Sequence, residues 1–264
     1  MARIISVANQ KGGVGKTTTS INLSASLAVA EKKILLIDFD PQGNTSSGLG
    51  LKPELIKEKN IYRALVSDTP ISELSHPTDL EFLHIIPSNN DLIGAELELV
   101  SAFGRELRLK QALEPIKDQY DFIIIDCPPS LGLLTVNALT ASHTVLVPLQ
   151  CEYYAMEGLS QLLKTISLIK MSLNPNLKIE GILLTMFDAR NNLSSQVADE
   201  IKKHFEGQVF NVMIPRNVRL SESPSHGKPI ILYDINSRGA ESYLNLAQEV
   251  LAHSKPLETT QEKV

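Results

Sequence analysis

The chain contains no tryptophan, only two cysteines in 264 residues, and an aromatic fraction of 5%. The cysteines, Cys127 and Cys151, form neither a disulfide framework nor a metal-spaced cluster. Buried free thiols in a reducing compartment are expected. With no aromatic-rich strand and no zinc-type spacing, base readout of a nucleic acid is not expected. No apolar run approaches the roughly 18 residues that a bilayer span requires. No basic stretch followed by an apolar one opens the chain, so a secretory leader is not expected and the predicted location is cytoplasmic. Positive charge is not in excess either. There are 25 Lys and Arg against 30 Asp and Glu, a net charge of −5. Nucleic-acid binding rests on phosphate neutralisation, so any such binding here must come from a local patch.

A hydrophobic fraction of 43% is ordinary for a soluble globular protein. Short β-rich runs at 3–8, 33–38, 81–86, 121–126, 143–148, 178–187 and 209–213 alternate with helical patterns. The latter include Thr17 to Ala30, Asp91 to Lys117, Leu131 to Thr140, Tyr154 to Ser172 and Ser194 to Phe205. Ile123-Ile124-Ile125 and Val145-Leu146-Val147 are continuously apolar, as strands buried on both faces are. The predicted class is α/β, a doubly wound and mostly parallel sheet with helices on both faces. Ligands then sit beyond the carboxyl ends of the strands. No repeat or linker interrupts the pattern. One domain is expected over 1–254, with a polar, frayed tail over 255–264.

The richest segment is Asn9 to Thr18, N-Q-K-G-G-V-G-K-T-T, directly after the apolar run Ile4 to Ala8. A strand breaking into a glycine-rich loop and then a helix is a phosphate cradle, the P-loop of nucleoside-triphosphate enzymes. Glycines let backbone N–H groups turn toward an anion, and the helix start adds its positive end. Lys16 would reach the β- and γ-phosphates and Thr17 would offer its hydroxyl to Mg²⁺. The predicted nucleotide-contact set is Lys11, Gly12, Gly13, Val14, Gly15, Lys16, Thr17 and Thr18. The loop departs from the usual pattern at Gln10, where a glycine is the rule, and Lys11 adds a second cation. Lys11 is either a solvated surface lysine or a phosphate contact, including a contact to nucleotide held by a second subunit.

Two carboxylate motifs accompany the loop. Asp38-Phe39-Asp40-Pro41-Gln42-Gly43-Asn44 ends the second strand, and two aspartates two apart share a side while strand geometry lasts. Asp40 is assigned the orientation of an attacking water and Asp38 a supporting place near the metal. The strand Asp121 to Ile125 runs into Asp126-Cys127-Pro128-Pro129, and Asp126 is the expected Mg²⁺-side carboxylate. Its rigid proline exit is a plausible switch sensing the γ-phosphate. Thr45-Ser46-Ser47 reads as a loop after the turn. Where guanine readers carry Asn/Thr-Lys-x-Asp, this chain has Thr185-Met186-Phe187-Asp188, which favours ATP over GTP. The six histidines are scattered and receive no role.

Together these segments resemble the ParA/MinD family of deviant phosphate-loop ATPases. The likeness runs through K-G-G-V-G-K-T-T, D-F-D-P-Q-G-N, I-I-I-D-C-P-P-S, Glu152 to Gly158 and P-R-N-V-R-L-S-E-S-P-S-H-G-K-P-I from Pro215. The last two look specific to the Soj-like partition branch. The resemblance implies that Lys11 reaches across a two-fold axis to the partner's ATP, that Gly12 lies at the closest approach of two subunits, and that Asp40 is the hydrolytic carboxylate. Met186, Pro215 and Arg216 are similar to adenine-side contacts. It further implies an ATP-dependent homodimer that binds double-stranded DNA without sequence preference, chiefly through Arg190 and Arg219, until a ParB-type partner stimulates hydrolysis.

Several rivals are weaker. A MinD-type membrane ATPase would need a basic amphipathic C-terminal helix, and L-A-H-S-K-P-L-E-T-T-Q-E-K-V does not offer one. No membrane partner is therefore expected. An iron–sulfur reductase would need cysteines in another context. A tyrosine autokinase would carry a Tyr-rich tail. The large partition ATPases carry an operator-binding region ahead of the loop, and here the loop begins at residue 11. A non-enzymatic scaffold would bind DNA equally with and without ATP.

Overall fold

Hydrophobic alternation along the strands dictates the layering. Ile4, Leu35, Ile37, Ile123, Ile125, Val145 and Val147 face one apolar cluster, while Ile5, Val7, Ile34, Leu36, Ile124 and Leu146 face another. Such a period of two puts successive side chains on opposite faces of a sheet, and both faces are covered here.

The computed structural model of the chain describes residues 1–152 and 155–253. Its strands are β1 (Arg3–Val7), β2 (Ile34–Asp38), β3 (His76–Pro77), β4 (Leu83–Ile86), β5 (Phe122–Asp126), β6 (Thr144–Gln150) and β7 (Lys178–Thr185). They form a seven-stranded sheet in the order β3-β4-β2-β5-β1-β6-β7, parallel except for the two-residue edge strand β3. The first helices are α1 (Lys16–Val29), α2 (Asn44–Gly48), α3 (Pro53–Ile56), α4 (Ile61–Val66), α5 (Asp91–Glu98) and α6 (Arg108–Leu113). The rest are α7 (Leu133–Ala141), α8 (Ala155–Ser172), α9 (Asn192–His204), α10 (Val218–Glu222), α11 (Ile230–Tyr233) and α12 (Arg238–His253). Helices α4 to α9 cover one face. Helices α1 and α10 to α12 cover the other, with Tyr243 of α12 wholly buried beside Thr19 of α1.

The doubly wound fold is as expected, and the strand assignments hold except at one segment. Residues 209–213 form no strand. Val209 makes only an isolated bridge to Ile182. The N–H groups of Asn211 and Val212 donate instead to the Glu249 carboxylate at 3.0 and 2.8 Å, which breaks any ladder with β7. The helical pattern from Asp91 to Lys117 is likewise cut into pieces. Ala102 is extended (φ −76°, ψ 133°) and Gly104 left-handed at φ +65°, so the helix stops and restarts. Residues 254–264, and with them the predicted tail, lie outside the described residues.

Register positions the site. Asp38 pairs with Asp126, and Asp126 with Val7. Three adjacent parallel strands therefore end side by side, one carrying the glycine-rich loop and two carrying carboxylates. The fold brings together motifs more than a hundred residues apart.

Candidate nucleotide site

The loop is held by its own chain ends. Asn9 donates through Nδ2 to the Pro148 carbonyl at 2.7 Å, and its Oδ1 accepts from the Lys11 amide at 3.0 Å. The buried Val14 offers its carbonyl to the Thr185 hydroxyl at 2.8 Å, tying the loop to the end of β7. Gly13 and Gly15 have φ of +74° and +89°, a conformation that a side chain resists. Helix α1 then starts at Lys16 with no side-chain cap and no acid in its first turn. Its first N–H groups and dipole thus face the loop's interior, the arrangement that suits an anion.

Two lysines divide the loop between inside and outside. Lys16 is 7% exposed, and its Nζ donates to the Lys11 carbonyl at 3.2 Å. Burial lowers its pKa, opposed by the nearby carboxylates of Asp126 and Asp40. Lys11 instead projects outward, and its ammonium pairs with Glu152. Gly12 is exposed, has no positive φ, and a Cβ built on it would meet nothing within 4 Å.

Asp126 gathers hydroxyls. Thr17 and Thr45 donate to Oδ2 at 2.9 and 2.6 Å, and Ser20 donates to Oδ1 at 2.9 Å. Burial pushes its carboxyl pKa up, and the three hydroxyls hold it down. All the donors here are hard oxygens, the chemistry that suits Mg²⁺ rather than a softer metal. Asp38 is engaged differently. Its Oδ2 accepts from the Ser46 amide at 2.8 Å and the Ser46 hydroxyl at 2.6 Å, and its Oδ1 accepts from the Asp40 amide at 3.3 Å. It braces the turn beneath the site. Asp40 lies past the end of β2, so the shared-side argument stops at Asp38. It is nearly buried, with Oδ1 accepting from the Gln42 amide at 3.0 Å.

The segment Thr45-Ser46-Ser47 is not a loop. Gly43, left-handed at φ +64°, launches α2, and that short helix delivers Thr45 to Asp126 and Ser46 to Asp38. Sequence reasoning missed both roles because α2 has no apolar periodicity. Ser20 was legible in principle, since it lies one turn beyond Lys16 on α1.

Beyond the loop, a cleft of about 270 Å³ is lined by Gly15, Thr18, Met186, Pro215, Arg216 and Leu220, among others. Met186 stands at φ +49°, unusual for a non-glycine residue. The Phe187 amide donates to the Ile214 carbonyl at 3.0 Å and Arg216 donates back to Phe187 at 3.2 Å, which fixes this wall against β7. A larger surface cavity, about 1260 Å³, lies at the other end of the sheet around Arg3, Asp121 and Lys178. Open parallel sheets place ligands at the carboxyl ends of their strands, where the smaller cleft lies. Arg190 and Arg219 belong to neither cleft. Arg190 is 90% exposed and donates twice to Asp188 at 2.9 Å. Arg219 donates to Glu222 at 2.9 Å and pairs with Asp234 at 3.4 Å.

The Asp38 carboxyl is pushed up to about 7, first by burial and then by the charge of Asp126. Its folded pKa is thus above the ordinary value of 3.8. Between about pH 4 and 7 the folded state keeps a proton that the unfolded chain has released, so stability falls as pH rises through that window and levels above it. Asp38→Asn is expected to make that fall shallower in the nucleotide-free protein. Urea midpoints measured across the window check this, and an unchanged slope would count against the assignment.

The sequence matches the AAA domain family over residues 2–179. It is 62% identical over 256 residues to the chromosome partitioning protein ParA of Myxococcus xanthus, covering 97% of this chain and 90% of that one. The chain belongs to the ParA/Soj family. Its relatives include the sporulation initiation inhibitor protein Soj of Bacillus subtilis, 60% identical over 96% of this chain and 100% of Soj. Another is the chromosome-partitioning ATPase Soj of Treponema pallidum, 51% identical over 96% of this chain and 98% of that one. Among solved structures, a Mycobacterium smegmatis protein described as cobyrinic acid a,c-diamide synthase, with bound ADP and magnesium, superposes with a TM-score of 0.84 at 40% identity. The match covers 96% of this chain and 95% of that one. As a ParA/Soj-family ATPase, the chain shares its fold with nucleotide-bound neighbours. No helix among the described residues is long and apolar enough to cross a membrane.

Proposed function

We propose that this chain is a partition ATPase whose two copies sandwich two molecules of MgATP, bind DNA without sequence preference in that state, and separate after hydrolysis stimulated by a ParB-type partner. The loop N–H groups and Lys16 would hold the β- and γ-phosphates. Thr17 and Asp126, with Thr45 beside them, would hold Mg²⁺, which when bound neutralises charge on the phosphate oxygens. Asp40 orients the attacking water and accepts its proton. Met186, Pro215 and Arg216 wall the adenine side.

The observation that carries the two-subunit reading is the contrast within residues 11–13. Gly13 needs its positive φ, but among the described residues nothing requires Gly12 to lack a side chain. Lys11 faces away from its own cradle, toward Glu152. An external surface that approaches Gly12 closely and presents phosphate to Lys11 explains both. Gly12→Val is therefore expected to bind ATP as the parent does and to stay monomeric. Sedimentation showing parental dimers with ATP would remove the steric claim.

Arg190 and Arg219 are exposed; Arg190 pairs with Asp188, and Arg219 with Glu222, Asp234 and the Tyr233 hydroxyl, surface interactions that contribute little to stability. Phosphate can displace such partners, and dimerisation would double the contacts and the salt dependence. The test is binding to duplex DNA of arbitrary sequence with MgATP, with ADP and without nucleotide. Binding in the first condition alone is expected, and equal binding in all three contradicts the coupling. Arg219→Ala should weaken binding to every sequence alike and lower the salt slope by about one per subunit.

A further inference from the structure

Among the described residues, nothing covers one helix face beside the nucleotide site. Helix α5 and the 3₁₀ turn after it bury Leu92, Ala95 and Leu99 in the core. At the complementary spacing Ile93, Leu97 and Val100 share the outer side, 52%, 75% and 60% exposed, and Phe103 just beyond is fully exposed. Single exposed apolar residues are ordinary, but four large ones within eleven residues form a patch of the kind that marks interaction sites.

Charge narrows the occupant. From Asp91 to Glu106 the chain carries Asp91, Glu96, Glu98 and Glu106 against one cation, Arg105, whose guanidinium is held by Glu106 and the Val100 carbonyl. DNA and anionic lipid would be repelled. Two copies meeting through this same face about a two-fold axis would set like charges against each other. A cationic amphipathic helix fits both features, its apolar side on the stripe and its basic rim over the acids.

The face is also wired to the site. Glu96 Oε1 accepts from the Leu134 amide at 3.5 Å, and a Cβ on Gly132 would come within 2.6 Å of that oxygen. Gly132 and Leu134 belong to the segment that leaves Asp126 through Pro128 and Pro129. A ligand on α5 therefore sits one carboxylate away from the chain that carries the metal-side aspartate.

We propose that the stripe formed by Ile93, Leu97, Val100 and Phe103 seats a basic amphipathic helix of the partner that stimulates hydrolysis, and that Glu96 relays its arrival to residues 130–134. This rests on the partition reading above, which supplies such a partner. It is tested with the full-length protein, its ParB-type partner from the same genome, and Leu97→Glu and Phe103→Glu. Leu168→Glu on α8, at a residue 60% exposed, is the off-site control. With MgATP both stripe variants should dimerise and turn over at the parental basal rate. The partner concentration giving half-maximal stimulation should rise about tenfold or more, as for a central contact, while the control should match the parent. Glu96→Gln should bind the partner and lose most of the stimulation. Unchanged stimulation in the stripe variants overturns the seat. Loss of their ATP-dependent dimer overturns it too, by making the stripe a contact between subunits. A parental protein that the partner leaves unstimulated overturns the partition reading, and the seat with it.

Discussion

Replacing Lys16 by alanine is expected to abolish useful ATP affinity. The ammonium is the one side-chain cation placed within the cradle among the described residues, and burial has already removed most of its water. Its desolvation is offset in part by Asp126 and Asp40, and a triphosphate would add far more compensating charge. Truncating one member of a buried, hydrogen-bonded charge pair costs about 2–5 kcal/mol, or roughly 30-fold to several thousandfold in affinity. Calorimetry on the variant checks this. Affinity within threefold of the parent would mean that the loop amides alone hold the phosphates.

Asp40→Ala should act on a different step. Its side chain makes a single hydrogen bond within the chain among the described residues, to the Gln42 amide, and the turn keeps its backbone bond from Gly43 to the Asp40 carbonyl. The site should therefore stay assembled and bind ATP within about threefold of the parent. Losing a positioned base commonly costs 10²–10⁴-fold in rate, and phosphate release should fall by about that factor. The variant should accumulate on DNA, because the step that separates the subunits is blocked. Phosphate release at the parental rate would move the role to another residue, with Asp38 a poor candidate because Ser46 and the Asp40 amide already occupy its oxygens.

What the sequence disclosed follows the strength of its signals. Continuous apolar runs of β-branched residues such as Ile123 to Ile125 look like strands buried on both faces, and the order of strands and helices implied the doubly wound sheet. The glycine-rich loop was legible because its left-handed positions demand glycine. The short helix α2 was not, since five residues with no apolar stripe carry no periodicity. Its two contributions, Thr45 to Asp126 and Ser46 to Asp38, exist only because strand register aligns Asp38 with Asp126. The missing strand at 209–213 has a comparable cause. Its pattern is that of a strand, but a carboxylate from α12, some forty residues on, takes the amides a ladder would need. Lys11 sits between these cases. The sequence marked it as an extra cation, and only the structure shows that it faces Glu152 on the outside rather than its own cradle.

Sedimentation of the Asp40→Ala protein at saturating ATP and Mg²⁺ examines the central claim most directly. We expect nearly twice the monomer mass with ATP, and the monomer mass with ADP or when Gly12→Val is added. A protein that stays monomeric with bound MgATP would contradict the account.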